Sequence, residues 1–126
     1  MFTNKTLWIL QVLMGVYFIG VGVLHFIVPE GLPGMMSWMY ELDDNFHLIA
    51  GSAEILGGLG LILPGLTKIM PKLTIFAAKG LVLVMAGAVI WHLTRGEYSN
   101  AANNVVLAAI VAVIAYGRAR RTPLVG

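Results

Sequence analysis

The sequence predicts an all-α membrane protein, an antiparallel bundle of four transmembrane helices with a short amphipathic segment in the first outer loop. Three observations predict it. Of 126 residues, 59% are hydrophobic and only 11% charged, against about a quarter charged in a typical soluble domain. So few charges would leave a water-facing surface poorly hydrated, and lipid is its natural solvent. The apolar residues gather into four runs, at about residues 7–28, 46–64, 73–93 and 101–117. Lys and Arg, finally, collect on alternate connections, as they do in multi-pass proteins.

Each run is justified by length and by its borders. At about 1.5 Å rise per residue even the fourth and shortest reaches roughly 25 Å, close to a bilayer core. Backbone amides find no water there, so each run is expected to be helical. The first run is about 22 residues long, beyond the roughly 7–15 of a signal-peptide core, and lacks a small-residue cleavage site, so it reads as a retained span. Pro29, Gly31, Pro33 and Gly34 close it. Pro64, Gly65 and Pro71 bracket the second connection, and Arg95, Gly96 and Glu97 form the third. Connections this short make antiparallel neighbours, hence one membrane domain over residues 1–126.

Charge placement sets an expected orientation. Lys5 precedes the first run, Lys68 and Lys72 lie between the second and third, and Arg118, Arg120 and Arg121 follow the fourth. The opposite side holds Glu30, Glu41, Asp43, Asp44 and Glu97, with Arg95 its only base. Both termini are therefore expected in the cytoplasm, with the protein in a bacterial cytoplasmic membrane. On the outer side Met35, Trp38, Met39 and Leu42 follow i, i+3, i+4, i+7 spacing, the stripe of a short amphipathic helix that lies on the leaflet or caps the bundle. An aromatic-belt loop is the plainer alternative.

Polar groups inside the spans are costly and carry the functional candidates: Gln11, His25, His47, Glu54, Lys79 and His92. Glu54 lies about 12 Å below the outer end of its span by helical rise. A carboxylate at that depth must be protonated, paired or facing water. It shares a face with His47, Gly51, Gly58 and Leu61, and the first run shows the same spacing in Gln11, Gly15, Phe18, Gly22 and His25. Small residues allow close helix approach, so these two faces are expected to meet across their glycines. The same feature fits a ligand space or a purely structural Glu54.

The three histidines fall at similar depth, within about 3 Å of the outer boundary. Neutral imidazoles there could handle protons for a quinone, with haem or metal ligation by His25, His47 and His92 a weaker reading and hydrated interfacial histidines the plain one. A Glu54–Lys79 ion pair is a further expectation, with Lys79 reaching along its stem. Asn104 and a stripe of Ala101, Val105, Ala108, Ala112 and Ala115 on the fourth run suggest close packing or a surface for another subunit.

Several classes are excluded. Cysteine is absent, which removes disulfides, thiolate metal sites and Cys nucleophiles. No basic patch with interleaved aromatics points to nucleic acid. No phosphate-binding loop, dinucleotide fingerprint or serine- or zinc-hydrolase motif occurs.

Three motifs resemble the DoxX-like family of small four-span membrane proteins. GVGVLHFIVP at residues 20–29 resembles the end of that family's first span, GSAEILGGLGLILP at 51–64 its second, and MAGAVIWHL at 85–93 its third. His25 stands where many relatives carry Lys. The resemblance covers most of the chain and implies a four-span bundle with Glu54 and His92 as transferable positions and Lys79 as a weaker one. Members are associated with thiosulfate:quinone oxidoreduction, with membrane redox complexes and, in animal relatives, with receptor assembly. The sequence thus leaves three functions open: a redox-system subunit contacting a quinone or lipid-like molecule, a scaffold for a membrane partner or second copy, and a proton-coupled carrier using Glu54.

Overall fold

The computed structural model describes residues 2–125. Four long helices, α1 (Asn4–Ile27), α2 (Asp44–Thr67), α3 (Leu73–Thr94) and α4 (Tyr98–Tyr116), run antiparallel in chain order. Among the described residues there is no strand. All four helices are long and apolar enough to cross a membrane, and at most a third of each apolar window is buried within the protein. Leu13, Val16, Leu56, Phe76, Leu83 and Ile90 face outward. An apolar surface on that scale is solvated by lipid, and the chain is an integral multi-pass membrane protein.

Local chemistry sets the helix ends. Thr3 caps α1 by accepting from the Thr6 amide at 3.1 Å, and Asp43 caps α2 by accepting from the Asn45 amide at 3.2 Å. α1 stops at Val28, which takes a left-handed φ of 42° just before Pro29. The expected amphipathic segment is present but is a 3₁₀ helix, Gly34–Tyr40, and it caps the bundle. Tighter winding breaks the anticipated stripe: Met39 is fully buried while Met35 is exposed. Tyr40 pins the cap by donating its hydroxyl to the Pro29 carbonyl at 2.7 Å and accepting from the Leu32 amide.

α1 and α2 pack through their glycines, as their shared spacing suggests. A Cβ on Gly58 would lie 2.7 Å from the Gly15 carbonyl oxygen, and one on Gly22 would lie 2.9 Å from the Gly51 carbonyl oxygen. The two backbones therefore touch directly at two levels.

Pro64 interrupts α2 from within. It has no N–H for the Gly60 carbonyl, and Thr74 of α3 donates to that oxygen instead at 2.9 Å. The adjacent Leu61 carbonyl accepts Gln11 Nε2 of α1 at 2.7 Å. The proline thus frees the acceptor that ties α3 to α2, and the neighbouring Leu61 carbonyl ties α1 to it.

The termini lie at one end of the bundle, where Leu7 packs on Gly117 and the chain after α4 winds into a wide turn, Gly117–Arg121. Arg118 departs from expectation here. Read as a solvated rim charge, it is instead 1% exposed. Its Nε donates to Gln11 Oε1 at 2.6 Å, and its Nη1 donates to Asn4 Oδ1 at 2.9 Å and the Thr122 carbonyl at 3.0 Å. This clamp joins α1 to α4 at the terminal end. The core above it is Phe18, Leu61, Leu81, Val111 and Ile114. The small-residue stripe of α4 is split, with Ala101 and Ala115 buried and Val105 and Ala112 outward.

Candidate functional site

At the end opposite the termini α1 and α4 stand on either side of an opening. They form facing walls of a cavity of about 820 Å³, with Tyr17, Leu24 and His25 on one side and Asn100, Asn103, Asn104 and Leu107 on the other. Glu54 of α2, Met85, Trp91 and His92 of α3, and Trp38 of the cap complete the lining. Outward-facing Ile49, Leu83 and Ile90 also border it, so the cavity opens toward the hydrocarbon. Its walls are mostly apolar with a few convergent polar groups, the usual make-up of a small-molecule site.

Helical register puts His25 in the last turn of α1, His47 in the first turn of α2 and Glu54 two turns further in. His25 Nδ1 meets His47 Nδ1 at 2.8 Å, His47 Nε2 meets the Met39 carbonyl at 2.8 Å, and His25 Nε2 lies 3.0 Å from Glu54 Oε2. Proton positions follow. A carbonyl only accepts, so His47 donates through Nε2 and, as a neutral ring, offers the lone pair of Nδ1. His25 then donates through Nδ1. Its Nε2 lies 3.0 Å from a carboxyl oxygen of Glu54. A single proton between His25 and Glu54, on the ring or on the acid, would leave the pair neutral. A buried acid is tolerated in the membrane on those terms.

The His25–Glu54 contact is close but poorly aligned. Its distance is that of an ion pair, yet Glu54 Oε2 has no hydrogen-bond partner by direction and is buried. Glu54 is 3% exposed and lines the cavity. A buried carboxyl oxygen without a hydrogen bond has unused capacity to accept or, when protonated, to donate.

His92 forms a second polar station. Its Nδ1 donates to Glu97 Oε1 at 2.9 Å, which leaves Nε2 with no hydrogen bond among the described residues. Glu97 also accepts from Arg95 Nε at 3.0 Å, Arg95 pairs with Glu41 of the cap, and the Arg95 guanidinium stacks 4.7 Å from the Trp91 ring. Arg95, Glu97 and Glu41 lie beyond the helix ends and hold the cap over the cavity. Partial burial alone would push the Glu97 carboxyl up, but hydrogen bonds from His92 and Arg95, with the Arg95 charge, outweigh it and hold it below its ordinary value. The hydrogen bond to Glu97 in turn raises Arg95.

The six polar candidates therefore separate. His25, Glu54 and His92 line the cavity, and His47 stands behind His25. Gln11 belongs to the Arg118 clamp. The anticipated Glu54–Lys79 pair does not form: Lys79 is exposed, with its ammonium 5.9 Å from the Phe76 ring, and Glu54 pairs with His25. Nor do the histidines converge as a ligand set. Trp38 stands between them, with ring centres 5.9 Å from His25 and 5.0 Å from His92. Among the described residues no group of three His, Cys, Asp or Glu side chains is placed to hold a metal. Sequence reasoning missed Tyr17, Asn100, Asn103 and Glu97. The asparagines had a visible signal, three amides at i, i+3, i+4 on the lip of an otherwise apolar helix.

Against known protein families, residues 9–114 match the model of the DoxX-like family. The chain belongs to the DoxX-like family. Its matched region takes in α2 and α3 whole and holds every polar group of the cavity. No curated protein and no solved structure matches this DoxX-like chain.

Proposed function

We propose that this DoxX-like protein binds the head of a quinone or similar lipid-soluble molecule in the cavity between α1 and α4, as the membrane subunit of a redox system. One observation carries the reading: Glu54, a buried acid with one carboxyl oxygen lacking a hydrogen bond, is among the residues lining a large apolar cavity that opens toward lipid. The residues fit such a head. Glu54 and His92 Nε2 are polar anchors, and Trp38 and Trp91 offer flat faces for a ring. A quinone would supply reversible two-electron, two-proton chemistry, with another component of the system handling the electrons. The His25–Glu54 pair would give its proton to a carbonyl oxygen or take one from a hydroxyl, and His47 would hold His25 in the tautomer that allows it.

A proton-coupled carrier is less well supported, because buried Phe18, Leu61 and the Arg118 clamp fill the bundle between the cavity and the terminal end. The Lys and Arg distribution supports an orientation with both termini in the cytoplasm and the cavity in the outer half of a bacterial cytoplasmic membrane. The test is extraction. Protein purified in mild detergent should carry quinone detectable by chromatography of an organic extract, and Glu54→Gln protein of the same yield should carry at least tenfold less. A quinone-free protein that reproducibly retains a stoichiometric membrane-protein partner would contradict the proposal and favour a scaffold.

A further inference from the structure

The terminal end of the bundle carries an unbalanced positive charge. The chain's acids are Glu30, Glu41, Asp43, Asp44, Glu54 and Glu97, and all lie toward the opposite end or beside the cavity. Arg118 is nonetheless buried, and among the described residues every group it bonds is neutral: Gln11, the Asn4 side chain and main chain, and the Thr122 carbonyl. Its Nη2, with two N–H donors, has a single long contact of 3.5 Å to the Asn4 carbonyl. A buried guanidinium with one N–H to spare and no counter-ion among the described residues is costly unless an anion reaches it from elsewhere.

The structure provides a place for one. A recess of about 320 Å³ is lined by Arg118 and by Lys72, at the start of α3. Its other walls are apolar: Pro71, Ile75, Pro123 and Leu124 among them. No acid lines it. Two cations of different character, a planar fork and a mobile ammonium, suit a phosphate group, the fork by paired N–H bonds and the ammonium as a point charge. The apolar walls suit the glycerol and first methylenes attached to it.

We propose that the recess between Lys72 and Arg118 binds a phosphate group, carried by an anionic phospholipid or present as the free ion. Arg118 provides the fixed donors, and Lys72, exposed at the rim, closes over the charge. The site is separate from the cavity near Glu54.

The test uses the whole protein in detergent, with native mass spectrometry and thermal melting in the presence of phosphatidylglycerol, phosphatidylcholine or inorganic phosphate. Phosphatidylglycerol should bind and raise the melting temperature more than phosphatidylcholine does, and Lys72→Gln should weaken its binding at least tenfold. Lys5→Gln removes the same charge from the same end without touching the recess and should leave binding within twofold. If inorganic phosphate reproduces the shift and Lys72→Gln abolishes it, the site holds and its source is the free ion. If phosphatidylcholine matches phosphatidylglycerol, or Lys5→Gln and Lys72→Gln weaken binding equally, general attraction to the basic end explains the result and the proposal fails. The Lys72 ammonium makes no hydrogen bond among the described residues, so these outcomes do not depend on whether an Arg118 variant folds.

Discussion

At the scale of single residues, the protein keeps an acid in the membrane by arranging lone pairs. The Met39 carbonyl fixes His47, His47 fixes His25, and His25 is left with its second nitrogen 3.0 Å from Glu54. His47→Phe should orphan the Met39 carbonyl and the His25 N–H together, at a cost of about 1–3 kcal/mol for each unsatisfied group, read as a fall in melting temperature in detergent. Unchanged melting would mean that the chain of rings does not hold the site. Lys79→Met should leave melting within about 0.5 kcal/mol of wild type, the range for surface positions without a partner. Glu54's importance was legible, because an acid deep in an apolar helix always needs a reason. Its partner was not. Lys79 was the obvious base by charge, but its helix turns it outward, and His25 comes from a different helix at a separation no local pattern reveals.

At the scale of elements, the α1–α2 contact is the most demanding. Gly58→Ala should force the backbones apart and destabilise the bundle by about 1–3 kcal/mol, as overpacking does. Gly80→Ala meets nothing within reach and should be neutral or slightly stabilising, since alanine is the better helix former. The glycine spacing was readable because both faces repeat it. The cap was readable only as a stripe: a 3₁₀ helix and an α-helix share i, i+3 neighbours, and only the tighter winding exposes Met35. The cap is also where pH should act. Glu97 is held below its ordinary carboxylate value, so its bonds to His92 and Arg95 stabilise the fold above pH 4.5 and lose that effect as pH falls through its lower folded value. Protection of residues 34–40 against hydrogen exchange, taken relative to the intrinsic exchange rate at each pH, should fall below pH 4.5 in the wild-type protein. In Glu97→Gln protection should be lower already and should depend less on pH. Identical profiles would show that the clamp does not secure the cap.

At the scale of the whole molecule, α1 and α4 are fastened at the terminal end by Arg118, Gln11 and Asn4 and face each other across the cavity at the other end. The four helices could be read from apolar length and turn residues alone. The fastening could not, because a terminal arginine after an apolar run reads as a charge at the membrane surface, and its burial depends on a glutamine more than a hundred residues away. The separation of α1 from α4 was equally hidden, since nothing local says which helices of a bundle stay apart. Those two features give the bundle its open end, and the proposed function depends on that opening. Quinone binding there is tested most directly by tryptophan fluorescence, because Trp38 and Trp91 line the cavity while Trp8 lies at the Arg118 end. In Trp8→Phe protein, titration with a short-chain quinone should give saturable quenching that Glu54→Gln weakens at least tenfold. Quenching that rises without saturation, or that is the same in both proteins, would contradict the account.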